Sequence, residues 1–309
     1  MKKYSVITLG ESLIDFIPLT DLVSGKYKAA VGGAPLNVAI GLSRLLDHVA
    51  MITRVGNDPI GLEIIKTLRA AGVEDSLVQV DPGRHTPVSV ILPKAADMER
   101  YIIYRENTAD SNIDIHEIPR QIFSDTWLFH IGTLLSTTKQ SEETTLNILQ
   151  LAKKGGAKIS LDVNIRPGCW KDKNQMIHAA RTLVDMADLV KCTKDELEIL
   201  GINPGDYVHP DNPDKLFVIT DGPNEACACW KGQTISRAVP KVHAVDVTGA
   251  GDAFLSAFLY QYVTYRMAGQ ELDTEKIGRC MALGVKAGSH AVQTYGTHES
   301  YPTRAELLG

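Results

Sequence analysis

Nine residues, Asp246-Val-Thr-Gly-Ala-Gly-Asp-Ala-Phe254, hold the densest chemistry in this 309-residue chain. The β-branched run Val242–Val247 leads into them and predicts a strand. Phe254, Leu255, Phe258, Leu259 and Tyr262 follow at helical spacing and predict a helix with one apolar face. Gly249, Ala250 and Gly251 thus fall where that helix begins, and side chains this small leave its first backbone amides uncovered. Free amides and the positive end of the helix dipole together make an anion site. A phosphoryl group in transfer carries negative charge that preorganised amides of this kind can hold. Asp252, just inside the nest, could take the proton of an attacking hydroxyl. Asp is also favoured in a first helical turn for dipole reasons alone, so the motif by itself leaves a catalytic base and a structural acid both open.

A second glycine-led helix start is Gly32-Gly-Ala-Pro-Leu-Asn37, with Pro35 in the first turn. Gly33 permits a ligand to approach the backbone, and Asn37 offers both donors and acceptors to a polyol. An ordinary glycine turn would read the same way. Neither motif is a dinucleotide fingerprint. The Gly249–Gly251 turn lacks the third glycine and lies near the C-terminus, not in the first βα turn. No G-x-x-x-x-G-K-[ST] occurs, so a nucleotide would be held without a P-loop lysine.

Elements able to position these residues are legible along the chain. Strands are predicted at Tyr4–Leu9, Val49–Arg54, Thr86–Leu92, Arg100–Arg105, Trp127–Ile131, Lys158–Val163, Leu189–Lys191, Leu216–Thr220 and Val242–Val247. Helical spacing lies between many of them, as in Val38/Leu42/Leu45/Leu46, Ile64/Leu68 and Leu146/Leu149/Ala152. Such alternation argues an α/β fold with a mostly parallel sheet covered on both faces. Two stretches break the rhythm: residues 15–32 hold no convincing helix, and 86–105 reads as two strands joined by the polar turn Lys94–Glu99. Four short segments of this kind would form a small second sheet. In the segment Arg100–Arg105, Tyr101, Ile103 and Arg105 share one face while Ile102 and Tyr104 share the other, which suits a lid over a ligand.

Composition narrows the class. Lys and Arg number 32 against 37 acidic residues, a net charge of −5, and no basic block exists to neutralise a row of phosphates. A nucleic-acid partner is therefore not expected. No apolar run reaches membrane-span length, and the short stretch after Lys2-Lys3 is soon interrupted by Glu11 and Asp15, so a cytoplasmic protein without a signal segment is expected. Cys169, Cys192, Cys227, Cys229 and Cys280 form neither an even disulfide framework nor a zinc spacing, and read as buried thiols. His290 and His298 are isolated and have no evident acid–base task.

Taken in order, the motifs resemble a known family. Gly10–Pro18, Gly32–Ala39, Val55-Gly-Asn-Asp-Pro-Ile-Gly61, Tyr104-Arg105 followed by Ala109-Asp110, Asp162-Val-Asn-Ile-Arg-Pro167, Val218-Ile-Thr-Asp-Gly222 and Asp246–Phe254 are similar to the ribokinase-like carbohydrate kinases over essentially the whole chain. The pattern looks most like the fructokinases, with 2-keto-3-deoxygluconate kinase as the nearest competitor. A silent sugar sensor is the alternative from another class, and an intact Asp252 argues against it.

The resemblance implies a single Rossmann-type three-layer αβα domain over 1–309, with lid segments at about 15–32 and 86–105. It also implies ATP as phosphoryl donor with Mg²⁺. It makes Asp252 the base, Gly249–Gly251 the anion hole, and Asp15, Gly33, Asn37, Arg105 and Arg166 the contacts to sugar or transferring phosphate. Asn164, Thr220, Gly222, Gly249 and Gly251 would hold the nucleotide. Asp162 would organise the same end of the site as Asn164, both on one strand face. Glu196 matches a water-linked Mg²⁺ position, although Thr193 stands where the family usually has Asn; a surface helix acid is the other reading. Asp246 and Thr248 match a monovalent-cation (K⁺) site, or a turn cap. The partners implied are a small sugar and ATP, with neither membrane nor nucleic acid, and the family pattern leaves room for a homodimer through the lid.

Overall fold

A computed structural model describes residues 2–19, 25–92, 101–209, 212 and 215–309. The polar turn at Lys94–Glu99 and Arg100 lie outside these. Among the described residues thirteen strands form two sheets. In chain order they are β1 (Tyr4–Leu9), β2 (Leu13–Pro18), β3 (Tyr27–Gly32), β4 (Val49–Gly56), β5 (Val78–Asp81), β6 (Val88–Ile91) and β7 (Tyr101–Tyr104). They continue with β8 (Thr126–Gly132), β9 (Lys158–Asp162), β10 (Leu189–Thr193), β11 (Leu216–Thr220), β12 (Glu225–Trp230) and β13 (Gln233–Ala238). The large sheet runs β13-β12-β11-β10-β9-β8-β1-β4-β5, and the small one runs β3-β2-β6-β7.

From β5 to β11 every neighbouring pair in the large sheet is parallel; only β12 and β13 run antiparallel at its edge. A parallel sheet needs cover on both faces, so its central strands are apolar without alternation, and all six residues of β1 are buried. One face packs on α1 (Ala34–Ser43), α2 (Pro59–Ala70), α6 (Ala250–Met267) and α7 (Thr274–Ala291). The other packs on α3 (Lys139–Lys154), α4 (Lys173–Met186) and α5 (Lys194–Leu200). Phe258 fills the first layer, and Phe129 and Phe217 the second; all three are fully buried. Each such side chain contributes about 1.5–3 kcal/mol by leaving water. Helix α6 is buried nearly all round, with Phe254, Phe258 and Tyr262 stacked along one side at centroid spacings of 6.3 and 6.4 Å. Its start, which carries Asp252, is therefore anchored deep in the fold.

The small sheet is the one expected from 15–32 and 86–105. Its row Ala30–Asp15–Ser89–Ile103 crosses all four strands, and the pleat sends Asp15, Ser89 and Ile103 to one face. Ile102 and Tyr104 point the other way and are exposed.

Two expectations fail. Val242–Val247 is not a strand: it follows β13 as irregular chain, with the amides of Val245 and Asp246 bonded to the carbonyl of Val292. Its alternating valines satisfy β propensity, but β13 already forms the sheet edge and no neighbour remains to pair with. The hairpin β12–β13 was not anticipated. Its two-residue turn, Lys231-Gly232, has φ of 49° and 74°, the left-handed pair that matches strand twist.

Candidate active site

The parallel strands and the lid border a cleft open to solvent. From the lid come Leu13, Asp15, Ser89, Tyr101 and Ile103; from the chain beyond β1, α1 and β9 come Glu11, Gly33, Asn37, Asn164 and Arg166; and Asp252 closes the bottom. A second, larger and apolar groove opens on the other side of the α6 start, lined by Thr220, Gly222, Val242, Val247, Val285 and Val292 among others. Gly249 and Asp252 belong to the first space, while Ala250 and Gly251 belong to the second. One helix start therefore separates a polar cleft from an apolar groove.

Local backbone requirements explain both glycine motifs. Gly33 has φ 114°, and a Cβ there would lie 2.5 Å from the carbonyl oxygen of Glu11. Gly249 caps α6 in the left-handed region at φ 76°, where a Cβ would meet Thr297 at 2.6 Å and the Tyr301 hydroxyl at 2.8 Å. The amide of Ala253 is the first to bond back into the helix, to Gly249, and that of Ala250 turns to Val247 at 3.3 Å. At this helix start the amides of Gly249, Gly251 and Asp252 are left to bind an anion.

Asp252 accepts a hydrogen bond from Asn37 Nδ2 at 2.9 Å. Loss of water raises its pKa, against the lowering effects of Asn37, Lys191 and Arg166. Burial also lifts Asp15, to about 6, against the lowering effects of Ser89 and Arg166. Arg166 lies over the Tyr101 ring, 4.8 Å from its centroid, which joins strand end to lid.

Several expected site residues sit elsewhere. Arg105 does not line the cleft. It is buried behind the wall, where it pairs with Asp110 and donates from Nη1 to the Leu134 carbonyl at 2.6 Å and Thr137 at 3.0 Å. Asn164 falls beyond the end of β9 with φ 36°, which breaks the shared strand face with Asp162; it borders the sugar-sized cleft rather than the apolar groove. Asp162 is instead buried against Lys191, at 3.0 and 3.1 Å. Thr220 and Gly222 line the apolar groove as expected.

The cation positions also read differently in three dimensions. Glu196 is no surface acid: it is buried, and forms a capping box with Thr193 at the start of α5. Its Oε2 accepts from the Thr193 amide and its Oε1 from the Ile165 amide, both at 2.8 Å. Each oxygen is thus engaged by one backbone amide, which ties Glu196 to this turn. Asp246 accepts from the amides of Thr248 at 3.0 Å and Gly296 at 3.4 Å, the turn-capping alternative. No group of three or more metal-ligating side chains occurs among the described residues. His298 is structural, its Nε2 3.2 Å from the Val31 carbonyl.

Two residues at the site escaped sequence reasoning. Lys191 is buried and reaches the groove beside Gly251, whose Cβ position would lie 3.1 Å from its Nζ. Burial alone would lower its pKa, but Asp162, Glu196 and Asp252 outweigh that and raise it, so it is a fixed cation. A lysine inside the apolar strand Leu189–Thr193, beside an aspartate-ended strand, was the available signal. Glu11 is the other; no periodicity marks it out.

A carboxylate poised between a polar cleft and an anion-binding helix start describes an enzyme that moves phosphoryl groups onto hydroxyls. The profile of the pfkB family carbohydrate kinases matches residues 3–304, and the chain belongs to that family. Fructokinase-1 of Zea mays is 32% identical over 98% of this chain and 96% of its own length. The fructokinase of Escherichia coli is 27% identical over 98% and 97%. Among solved structures, fructokinase from Vibrio cholerae O395 with fructose, ADP and calcium ion bound superposes with a TM-score of 0.87 at 25% identity, covering 99% of this chain and 98% of that one. The three-layer fold with its small lid sheet is the ribokinase-like fold anticipated from the motif order. No helix among the described residues is long and apolar enough to cross a membrane.

Proposed function

We propose that the protein is an ATP-dependent fructokinase, converting D-fructose and ATP to D-fructose 6-phosphate and ADP. The observation that carries this reading is the place of Asp252, held by Asn37 at 2.9 Å where cleft and groove meet. The sugar occupies the cleft, its hydroxyls bonded by Asp15 and Asn37, with Gly33 allowing close approach and Arg166 facing the transferred group. Adenine lies among the valines of the groove near Thr220 and Gly222, with the phosphates directed to Lys191 and Gly251. Asp252 takes the proton from the primary hydroxyl as its oxygen bonds to the γ-phosphorus and the bond to the β-phosphate oxygen breaks. The amides of Gly251 and Asp252 hold the charge of the moving group.

The whole chain acts as one kinase domain, and the lid excludes water that would otherwise accept the phosphoryl group. Mg²⁺ bound with the nucleotide would supply charge neutralisation to its phosphates. K⁺ near Asp246 and Thr248 is not part of this reading, because the Asp246 carboxylate is turned to the backbone. The exposed Ile102 and Tyr104 on the outer lid face suit a homodimer paired through it. A carboxylated sugar would call for an arginine pair, and with Arg105 held behind the wall Arg166 is the one arginine among the described residues that lines the cleft. ADP release measured over a panel of sugars tests the proposal: D-fructose is expected to give the highest kcat/KM, and a higher value for 2-keto-3-deoxygluconate would overturn the choice of sugar.

A further inference from the structure

Glu11 follows β1 and borders the cleft, yet it is only 3% exposed. One oxygen, Oε1, accepts from the Ala34 amide at 3.2 Å, which ties it to the start of α1. The other, Oε2, is fully buried and has no hydrogen-bond partner within the protein. Nearby in the same cleft, Asn37 Oδ1 is likewise buried and without a donor. Two unpartnered acceptors beside one cleft are costly unless a donor-rich ligand completes them. A polyol is such a ligand, since each hydroxyl carries a proton to give.

Burial and the neighbouring charges act on Glu11 in opposite directions. Burial raises its pKa to about 7, and the Asp110 carboxylate adds to that; the Arg105 guanidinium opposes both. Arg105 is itself paired with Asp110, and its charge supports Glu11. A substrate carboxylate at this wall would therefore meet Glu11 and Asp15, bring no proton, and add a like charge.

We propose that Glu11 is a further sugar-binding residue, its Oε2 accepting a hydrogen bond from a substrate hydroxyl, and that it sets the preference for neutral sugars over sugar acids. The inference deepens the sugar-kinase reading and rests on it. Glu11→Gln tests it, because the amide keeps the shape and the Ala34 bond while replacing a charged acceptor. Loss of one charged hydrogen bond corresponds to a rise of about 10-fold or more in KM for D-fructose, with kcat within about threefold and KM for ATP unchanged. The kcat/KM ratio of D-fructose to 2-keto-3-deoxygluconate is expected to fall by about 10-fold or more, a change that a merely structural residue would not cause. A folded variant with fructose KM within about twofold of the parent and an unchanged ratio overturns the proposal. If Glu11→Gln does not fold, Glu11→Asp carries the same KM threshold by drawing the carboxylate back one methylene. Calorimetric Kd values for D-fructose, measured on parent and variant together, separate this inference from the kinase reading. If the parent turns over a different neutral sugar, the choice of fructose falls, and the KM shift for that sugar decides the role of Glu11.

Discussion

The sugar cleft and the nucleotide groove share one helix start but are built on opposite principles. The cleft is polar, and its wall presents three carboxylates, Glu11, Asp15 and Asp252, each with a pKa raised by burial. The groove is larger and mostly apolar, its polar side chains being Lys191, Thr193, Thr220, Glu225, Lys241 and Ser289, with the backbone around Gly251. The cleft is assembled from segments far apart in sequence, on lid, strand ends and α6. The groove wall is local, drawn largely from the edge hairpin, the valine segment 239–247 and α7. Recognition of one sugar demands placed hydrogen bonds, whereas a purine and a phosphate chain can be held by shape, one cation and amides.

This contrast can be broken most sharply at the junction. Asp252→Asn is expected to lower kcat by roughly 10²–10⁴-fold while fructose still binds, because the amide keeps a side chain beside Asn37 but cannot take a proton. Near-normal kcat in steady-state assays would remove Asp252 as the base. Gly251→Val comes next: its side chain would cover the amide nest and press on Lys191, and a fall in kcat of about 10²-fold is expected with the fold retained by circular dichroism. Unchanged turnover in a folded variant would show that the amides do not hold the phosphoryl group.

A pH profile sharpens the polar half of the comparison. With Asp15 at about 6 and Asp252 raised, kcat/KM should fall as pH drops through about 6, where ordinary carboxylates would keep it level to about 4. Stability should move the opposite way. The folded site binds these protons more readily than the unfolded chain does, so the contribution of Asp15 to stability improves as pH falls from 7 toward 4. Rates and thermal melts over about pH 3.5–8 check both, and an acid limb near 4 would deny the desolvated cleft. The smallest effect belongs to the groove. Val247→Ser should raise KM for ATP by only a few-fold and leave fructose KM unchanged, since Val247 is 56% exposed without nucleotide and loses only part of its contact. An equal change in both KM values would mean that the two spaces are not separable.

The same division marks what could be read without coordinates. The α/β alternation, the lid segments and both glycine-led helix starts were legible, because apolar periodicity and the backbone freedom of glycine are local properties carried by neighbouring residues. Asp252 and Asn37 were legible as chemistry at those starts, but their meeting at 2.9 Å joins residues 215 positions apart. Val242–Val247 was misread because β propensity says that a segment can pair, not that a partner is present; here the edge was already taken by β13. Arg105, Glu196 and Asp246 were matched to ligand positions by type and spacing. Only the fold decided that Asp110, the amides of Thr193 and Ile165, and the turn at Thr248 would claim them first. Sequence determined which groups this chain owns and which of its backbone positions can approach a ligand. Tertiary structure decided which of those groups remain unsatisfied, because hydrogen-bond and charge partners are supplied across strands and layers by residues that no local pattern connects.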